Sequence, residues 1–490
     1  MAKRSYLLGM TIIAALGGLL FGFDTAVISG TERRIQDLYQ LDRFWLGFTV
    51  ASALIGTIVG SMAAGRPADL LGRRTALLWI AALYFVSAVG CAIAWDWYSL
   101  VFFRCIGGLS VGGSSVVSPM YIAEISPARH RGRLVAITQF NIVLGILLAF
   151  FSNYIIAELE LGDAEWRWMF GVEAFPAAAF FALLFLTPQS PRWLVARGRK
   201  GEAQAVLVAL GEDAASAGER VREIEASLET GERSEEDRFF SRRYRKPILL
   251  AVAIAAFNQL SGINAILYYA PRIFEMAGSE KAAAFLQAVV VGGTNLVFTM
   301  LALSVIDRFG RRKLMLAGSI GYILSLSATA ASFYAFSVEK PPEAVETNLE
   351  APDAMTRGPG PRAPEHGEAA KDAAEPETRL TRAGQILVLV SLLVFIASHA
   401  FGQGAVIWVF VSEIFPNRVR ARGQALGSFT HWAMCALISW TFPIIAEVSG
   451  GHAFAFYAAM MVLQLLWVLC VMPETKGVPL EEIEKKLGIR

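Results

Sequence analysis

The sequence is poor in charged residues and in the residue types on which most metal sites and disulfide frameworks depend. Asp, Glu, Lys and Arg make up 18% of the 490 residues, and the chain has 5 histidines and 4 cysteines. A soluble globular domain usually has about 25% charged residues, so this composition argues against one. The cysteines lie apart in apolar runs, without metal-ligand spacing. The net charge of +2 gives no indication of a nucleic-acid partner.

The sequence also lacks the motifs of an enzyme active site. It contains no nucleophile–base arrangement, no phosphate-binding loop and no cluster of residues with metal-ligand spacing. We therefore expect no enzymatic activity, no cofactor and no metal ion.

What the sequence has instead is a series of long apolar runs. Hydrophobic residues make up 55% of the chain, and the mean hydropathy is +0.49. A run of about 20 apolar residues is long enough to cross a bilayer as a helix. Twelve runs predict an all-α polytopic membrane protein, with spans at 6–30, 44–64, 75–95, 98–122, 134–157, 166–187, 247–273, 282–305, 313–337, 383–411, 423–446 and 453–472.

Basic residues are concentrated in the loops on one side of these spans. Arginines cluster after spans two, four, eight and ten, whereas the loops on the other side are mixed or acidic. The positive-inside rule places the arginine-rich loops in the cytoplasm. We therefore expect a multi-pass protein of the cell (plasma or inner) membrane with both termini in the cytoplasm.

Two polar segments divide the chain. Residues 188–246 are rich in Ala, Glu and Arg, which predicts a cytoplasmic linker domain of short amphipathic helices. Residues 339–382 are rich in Pro, Ala and Glu, which predicts a disordered outer loop. The predicted organisation is a first six-helix bundle at 1–187, the linker domain, a second bundle at 247–472 and a cytoplasmic tail at 473–490.

Two charged motifs occur once in each half of the chain, with the same internal spacing. Their charged members, called the gate residues below, are Asp69, Arg73, Glu124 and Arg131 in the first half and Asp307, Arg311, Glu413 and Arg420 in the second. The duplication predicts two pseudo-symmetric bundles. We predict that charge pairs between the halves form a cytoplasmic gate and separate when the halves rock. The alternative is a set of solvated ion pairs, each worth about 0–1 kcal/mol.

Three charged residues lie well inside predicted spans, away from the span ends, where a charge is costly unless it is paired or faces water. Asp24 is in span one, Arg104 in span four and Glu173 in span six. An arginine keeps its proton, whereas either acid can release one. We predict that Arg104 moves between acidic partners and so switches Asp24 between holding and releasing a proton. The alternative is a static buried ion pair that fixes helix packing.

A second group of polar residues within the spans is neutral, and its chemistry suits a polyol. An amide presents a donor and an acceptor together, which matches sugar hydroxyls, while aromatic rings pack on the apolar face of a sugar. The group comprises Gln139, Asn258, Gln259, Asn264, Asn295, Gln403, Trp408, His431 and Trp432. Glycine and proline interruptions in spans seven and ten permit the broken helices that line transporter sites. The alternative for each amide is an interhelical hydrogen bond.

Taken together, these motifs resemble the sugar porter family of the major facilitator superfamily, most closely its bacterial proton-coupled pentose and hexose symporters. The likeness rests on residues 22–30, 65–74, 119–124, 188–193, 259–264, 412–416 and 473–477. It implies the major facilitator fold, with twelve transmembrane helices in two pseudo-symmetric six-helix bundles. It also implies proton coupling at Asp24, Arg104 and Glu173, and sugar contacts at Phe21, Gln139, Gln259, Asn264, Asn295, Gly404, Trp408 and Trp432.

Three positions depart from the usual pattern of that family. Asn258 stands where a glutamine is typical, and His431 stands where a glutamine or asparagine is usual. These two departures leave the identity of the sugar open. Gln189 replaces a usual glutamate, which removes a cytoplasmic charge and predicts a weaker latch in the first half.

The sequence therefore predicts a secondary active transporter that imports a monosaccharide, a hexose or a pentose, with a proton by alternating access. Monosaccharide, proton and the lipid bilayer are the expected partners, nucleic acid is not, and a monomer is sufficient for function. A facilitative sugar uniporter with the same fold is the first alternative. A non-transporting sugar sensor is the second, although such proteins tend to have long cytoplasmic tails and this chain ends soon after 473–477.

Overall fold

The computed structural model of the protein consists almost entirely of helices. It describes residues 2–127, 130–231, 239–339, 378–416 and 419–476, together with residues 478, 482, 483, 485 and 487–489. In this part of the chain, 12 helices are long and apolar enough to cross a membrane. The prediction of a twelve-span polytopic membrane protein is confirmed.

The first six spans form the first half of the molecule. Span one is the helix Ala2–Val27, continued by a 3₁₀ turn at Ile28–Gly30. The other spans are Arg43–Ala63, Arg73–Ala92, Trp97–Ile125, Arg131–Glu158 and, in two pieces, Glu165–Gly171 with Ala174–Leu184. Shorter connecting segments lie at Glu32–Leu38, Gly65–Leu71 and Gly162–Ala164.

The second half contains the two spans whose helices are broken. Span seven consists of Arg245–Leu260, Ile263–Tyr268 and Ala270–Met276, and Gly262 in its first break has a φ of +84°. Span ten consists of Arg382–His399, a π-helical segment at Ala400–Gly404 and Ala405–Glu413. The unbroken spans are Lys281–Phe309, Arg311–Ala335, Arg420–Val448 and Gly450–Cys470.

Short helices occupy the segment between the halves. They are Pro191–Ala196, Lys200–Ala209 and Ala214–Gly231, followed by a 3₁₀ turn at Arg242–Tyr244. The helices pack on a small apolar core of their own, which includes Leu194, Leu207 and Val221. Amphipathic helices of this length are stabilised mainly by such packing.

The outer loop is ordered where it leaves and re-enters the bundle. Strand β1, Ser337–Glu339, pairs antiparallel with strand β2, Thr378–Leu380. The expectation of disorder over 339–382 is therefore wrong at both ends of that range, because backbone pairing and the burial of Leu380, which is 5% exposed, order them. Residues 340–377 lie outside the described residues.

The two faces of the bundle differ in charge. With twelve crossings in the described chain, the start of span one and the end of span twelve lie on the same face, together with Arg73 and Arg311 at the starts of spans three and nine. We call this side the arginine-rich face and the other side the opposite face.

Among the described residues, the halves share a core only toward the opposite face. One cluster of buried residues there draws on both halves and includes Val27 and Phe274. Toward the arginine-rich face the buried residues form separate clusters, one containing Ile122 and the other Phe415. Between the halves, span two packs on span eleven and span five on span eight. The described part of the molecule is thus closed at the opposite face.

Candidate functional site

An ion pair lies inside the first bundle. Asp24 is 4% exposed and Arg104 is 1% exposed, and Nη1 of Arg104 donates to Oδ1 of Asp24 at 2.9 Å. Gly107, one turn along span four, makes room for the carboxylate, since a Cβ there would lie 3.3 Å from Oδ1. Removing one partner of a buried pair leaves an uncompensated charge. The contact between Asp24 and Arg104 brings together two of the three residues predicted to couple protons.

Glu173 is a second buried acid beside this pair. It interacts electrostatically with both Asp24 and Arg104. Phe170, one turn earlier in span six, has its ring centre 5.7 Å from the guanidinium carbon of Arg104. Within the described chain, Oε1 of Glu173 has no hydrogen-bond partner. Arg104 thus forms a hydrogen-bonded ion pair with one acid, Asp24, and interacts electrostatically with a second, Glu173.

Gln259 is the centre of an amide cluster in the second half. Its Nε2 lies 2.9 Å from Oδ1 of Asn258 and 3.2 Å from both ring nitrogens of His431. Its Oε1 accepts a hydrogen bond of 2.7 Å from Nδ2 of Asn264, which the break in span seven brings back over it. Two of the three departures from the family pattern, Asn258 and His431, therefore contact the same glutamine.

Aromatic rings extend this cluster to the interface with the first half. The ring of His431 lies 5.1 Å from that of Trp408 and 5.0 Å from that of Trp432. Trp432 in turn lies 5.6 Å from Phe21 of span one. Phe21 is one helical turn from Asp24, so the segment of span one that carries the buried acid also contacts the second half next to the amide cluster.

The remaining predicted sugar contacts are spread over other spans. Asn295 is buried in span eight, where its Oδ1 accepts a hydrogen bond of 3.3 Å from Thr299. Gln139 is half-buried in span five, and Gly404 ends the π-helical segment. Contrary to the prediction, Gln403 does not join the amide cluster. It lies on the side of span ten that faces span twelve, and its amide donates to Gln464 there.

The gate residues that pair in the structure do so within their own half. Arg73 contacts Asp69 at 3.0 Å and Glu124 at 2.9 Å, and Arg311 contacts Glu413 at 2.8 Å. The gate that was predicted to separate when the halves rock stays a prediction, and in this conformation these residues form no pair between the halves among the described residues. The physical reason is that the halves share a core at the opposite face and have separate cores at the arginine-rich face.

The other gate residues have different surroundings. Arg131 is exposed, and Nε of Arg420 donates to the carbonyl of Phe415 at 3.3 Å. Asp307 lies in the last turns of span eight, and its side chain is outside the described part.

The two copies of the gate have the same architecture. In each half, a hydroxyl from the segment after the last span donates to the gate glutamate, Ser190 to Glu124 and Thr475 to Glu413. In each half, a glycine with positive φ precedes the third span of that half, Gly72 before span three and Gly310 before span nine. Residues 188–190 and 473–475 are thus equivalent, a correspondence that the sequence analysis missed although it used both segments.

One chemical difference between the copies yields a testable prediction. Glu474 accepts the backbone N–H groups of Arg311 at 3.0 Å and Arg312 at 3.1 Å, whereas Oε1 of the equivalent Gln189 has no partner among the described residues. A carboxylate at a helix N-terminus is favourable. We expect Gln189→Glu to raise the free energy of unfolding by about 1 kcal/mol, and Glu474→Gln to lower it by a similar amount.

Thermal unfolding of the purified protein measures both effects. The melting temperature should rise for Gln189→Glu and fall for Glu474→Gln. The control is Glu223→Gln, which neutralises an exposed acid on a linker helix. If both test variants have the same melting temperature as that control, the interpretation of Gln189 and Glu474 as equivalent positions is wrong.

Ion pairs at the opposite face join the two halves. The most buried is Glu32–Arg272, with side chains 2% and 15% exposed and 2.6 Å between Oε2 and Nη1. Burial raises the pKa of the Glu32 carboxyl, and the Arg272 guanidinium opposes that shift. The other crossing pairs are Arg33–Glu275, Arg43–Glu447 and Glu165–Lys281. These pairs could not be predicted from the sequence, because the partners of each pair lie in different halves and share no local pattern.

Comparisons with known proteins agree with this geometry. The profile described as "Sugar (and other) transporter" matches residues 10–346 and 371–487. The D-xylose-proton symporter of Escherichia coli (strain K12) is 36% identical over 522 aligned positions, which cover 98% of this chain and 96% of that protein. The arabinose-proton symporter of Bacillus subtilis (strain 168) is 34% identical, with 98% and 96% covered.

A solved structure shares the fold over nearly the whole chain. The inward open conformation of the xylose transporter XylE from E. coli superposes with a TM-score of 0.79 at 34% sequence identity, covering 98% of this chain and 99% of that one. Profile, sequence and structure thus agree over nearly all of the chain. The protein therefore belongs to the sugar transporter family.

Proposed function

We propose that this protein imports a monosaccharide, a pentose or a hexose, together with a proton. The observation that carries the proposal is the buried Asp24–Arg104 pair, placed one helical turn from Phe21, which contacts Trp432 in the amide cluster. Span one therefore carries an acid that can take up a proton and, one turn away, a ring that contacts the second half beside amides that match sugar hydroxyls. The relatives named for D-xylose and arabinose make these two pentoses the first sugars to test.

The transport cycle follows from the same contacts. In the outward-facing state the crossing pairs of the opposite face are separated, and sugar and proton enter between the halves. Protonation of Asp24 weakens its bond to Arg104, and Glu173 is the second acid that the arginine can contact. The halves then rock, the crossing pairs form, and sugar and proton leave toward the arginine-rich face. Every acid and base in these transport steps is a residue of the described chain.

The orientation is part of the proposal. The arginine-rich face is the cytoplasmic face of the cell membrane, since basic loops remain inside, and both termini and the linker helices of 188–246 lie there. We assign this structure to an inward-facing state because the halves are in contact at the opposite face. The similarity to the inward open XylE structure supports that assignment. Two bundles enclose one path, so a monomer is sufficient.

Uptake of a labelled sugar panel into energised right-side-out vesicles, with and without a protonophore, tests the proposal. We expect one or more sugars to accumulate above equilibrium, and the protonophore to abolish that accumulation. Equilibration that the protonophore does not affect would identify a uniporter instead. If the inserted protein moves no sugar, the carbohydrate proposal fails.

His431 should determine which sugars are preferred. It contacts Gln259, Trp408 and Trp432, so a ring at this position changes the donors and acceptors that a sugar meets. We expect His431→Gln to change the ratio of apparent KM values for two epimeric sugars about tenfold, the equivalent of one hydrogen bond. The control is His452→Gln, which changes an exposed histidine at the opposite face. Equal sugar rankings for wild type and His431→Gln would contradict the assignment.

A further inference from the structure

We propose that a chain of buried hydrogen bonds on the far side of span ten positions the π-helical segment and thereby sets the affinity for sugar. The residues are His399, Gln403, Ser319, Tyr322 and Gln464, and we call them the span-ten tether. The inference rests on the proposed sugar import, because its readout is sugar affinity. It adds residues that lie outside the amide cluster and assigns them a positioning role.

The tether includes the irregular, π-helical segment of span ten. Ala400–Gly404 is π-helical, and π-helical turns occur as single irregular turns, frequently at functional sites. Within a membrane, irregular backbone is tolerated where protein groups surround it. Gly404 closes the segment, and a Cβ there would lie 3.2 Å from Cδ2 of His399. The ring of His399 and the backbone of Gly404 therefore lie on one face and must fit each other.

Hydrogen bonds connect this segment to two other spans. Nε2 of Gln403 donates to Oε1 of Gln464 on span twelve, and Nε2 of Gln464 donates to Oγ of Ser319 on span nine at 2.8 Å. The hydroxyl of Tyr322, also on span nine, lies 2.7 Å from Nδ1 of His399. Gln403, Gln464, Ser319 and Tyr322 are fully buried. A buried amide that loses its partner is costly, so each bond restricts where the π-helical segment can lie.

Span ten also carries two of the proposed sugar contacts, Gly404 and Trp408. Gly404 belongs to the segment, and Trp408 follows one turn later with its ring 5.1 Å from that of His431. Spans nine and twelve pack on each other and form a support behind span ten. A binding group has to be held within about 0.5 Å of its productive position, which requires support from residues behind it. The tether provides that support from one side, and the amide cluster faces the other.

A matched pair of residues in the same spans allows a strict control. Oγ1 of Thr329 on span nine lies 2.7 Å from Oγ of Ser391 on span ten, and both side chains are buried. Ser391 precedes Gln403 by twelve residues, so this bond joins the same two spans about 18 Å away along the helix. Removing it tests what a lost buried hydrogen bond between spans nine and ten does when the π-helical segment is untouched.

The experiment compares sugar uptake by Gln403→Met, Tyr322→Phe and Ser391→Ala, each normalised to folded protein in the membrane. We expect Gln403→Met, which keeps the side-chain length and removes the amide, to raise the apparent KM about tenfold, with the maximal rate within about twofold of wild type. Tyr322→Phe removes a single hydroxyl and should raise KM by about threefold. Ser391→Ala should leave KM unchanged.

A double variant distinguishes one connected tether from independent contacts. If Gln403 and Gln464 act through their mutual bond, Gln403→Met combined with Gln464→Met should raise KM no further than Gln403→Met alone. Additive effects on KM would contradict a connected tether.

Other outcomes separate this inference from the proposal on which it depends. If wild type moves no sugar, the proposed function fails and the tether inference with it. If wild type accumulates sugar and both Gln403→Met and Tyr322→Phe keep its KM, only the tether inference fails. The same holds if Ser391→Ala raises KM as much as they do. Should Gln403→Met not reach the membrane, the milder Tyr322→Phe decides the question by the same criterion.

Discussion

Replacing Asp24 by Asn is expected to abolish accumulation of sugar while leaving exchange of sugar across the membrane intact. Asparagine keeps the size of the side chain and a hydrogen-bond acceptor for Arg104, but it cannot carry the proton. A potential of 100 mV is worth about 2.3 kcal/mol per charge, which corresponds to an accumulation of about 50-fold for one coupled proton. The accumulation ratio should therefore fall from tens to about one in the variant.

Two transport assays in the same vesicles measure this effect. Uptake driven by an imposed proton gradient should disappear, and counterflow of labelled against unlabelled sugar should persist, because the amide cluster around Gln259 is unchanged. Asp163→Asn is the matched control, since Asp163 is an exposed acid of the same half. Undiminished accumulation by Asp24→Asn would remove the coupling role of this residue and favour a uniporter. Loss of counterflow as well would show that Asp24 acts on sugar binding.

Breaking the Glu32–Arg272 pair is expected to open the opposite face. Glu32 is nearly inaccessible to solvent, and burial has raised the pKa of its carboxyl against the opposing effect of Arg272. Removing one partner of a buried pair costs about 3–5 kcal/mol, and this cost is paid only in the state in which the pair is formed. Glu32→Gln should therefore shift the balance between the two states toward the outward-facing one by about 100-fold or more.

An introduced cysteine reports this shift. Ile28 is buried in the core that both halves share at the opposite face, so Ile28→Cys should react with an impermeant thiol reagent in right-side-out vesicles only when that face opens. The rate of modification should rise strongly when Glu32→Gln is added. Combining Glu32→Arg with Arg272→Glu should restore protection, because the pair is rebuilt with its charges exchanged.

The control for this experiment is an ion pair on the same face that does not cross. Arg34 contacts Asp163, and both belong to the first half. Arg34→Gln should leave the rate of modification unchanged. If it raises the rate as much as Glu32→Gln does, the effect comes from the charge of the surface and the crossing pair has no special role.

The number of spans and their order were predictable because they depend on local properties. The thickness of the bilayer sets the length of an apolar run, and each of the twelve runs could be found without knowing its neighbours. The charged motifs around Arg73 and Arg311 were equally local, since their members lie a fixed few residues apart. Even the breaks in spans seven and ten followed from glycines and prolines in the chain.

The partners of most site residues could not be predicted. Gln403 was assigned to the sugar site with the other amides, yet it bonds to Gln464 on span twelve. An amide that contacts sugar and an amide that forms an interhelical hydrogen bond have the same chemistry. Only the rotation of span ten and the packing of its neighbours distinguish them. For Gln259 the neighbouring Asn258 was visible in sequence, but the contact with His431 joins residues separated by 172 positions.

The sequence by itself thus determined the membrane-spanning architecture, the duplication of the halves and the acid in span one, since hydrophobic length and motif spacing are properties of short segments. The tertiary structure alone decided whether charges far apart in the sequence pair within one half or across the halves. Arg73 and Glu124 bond within one half, while Glu32 and Arg272 bond across the halves over a separation of 240 positions. A transporter visits at least two arrangements of the same helices, and an ion pair between the halves exists in only some of them. Which pairs form between the halves is therefore a property of the conformation, and no local pattern in the chain contains it.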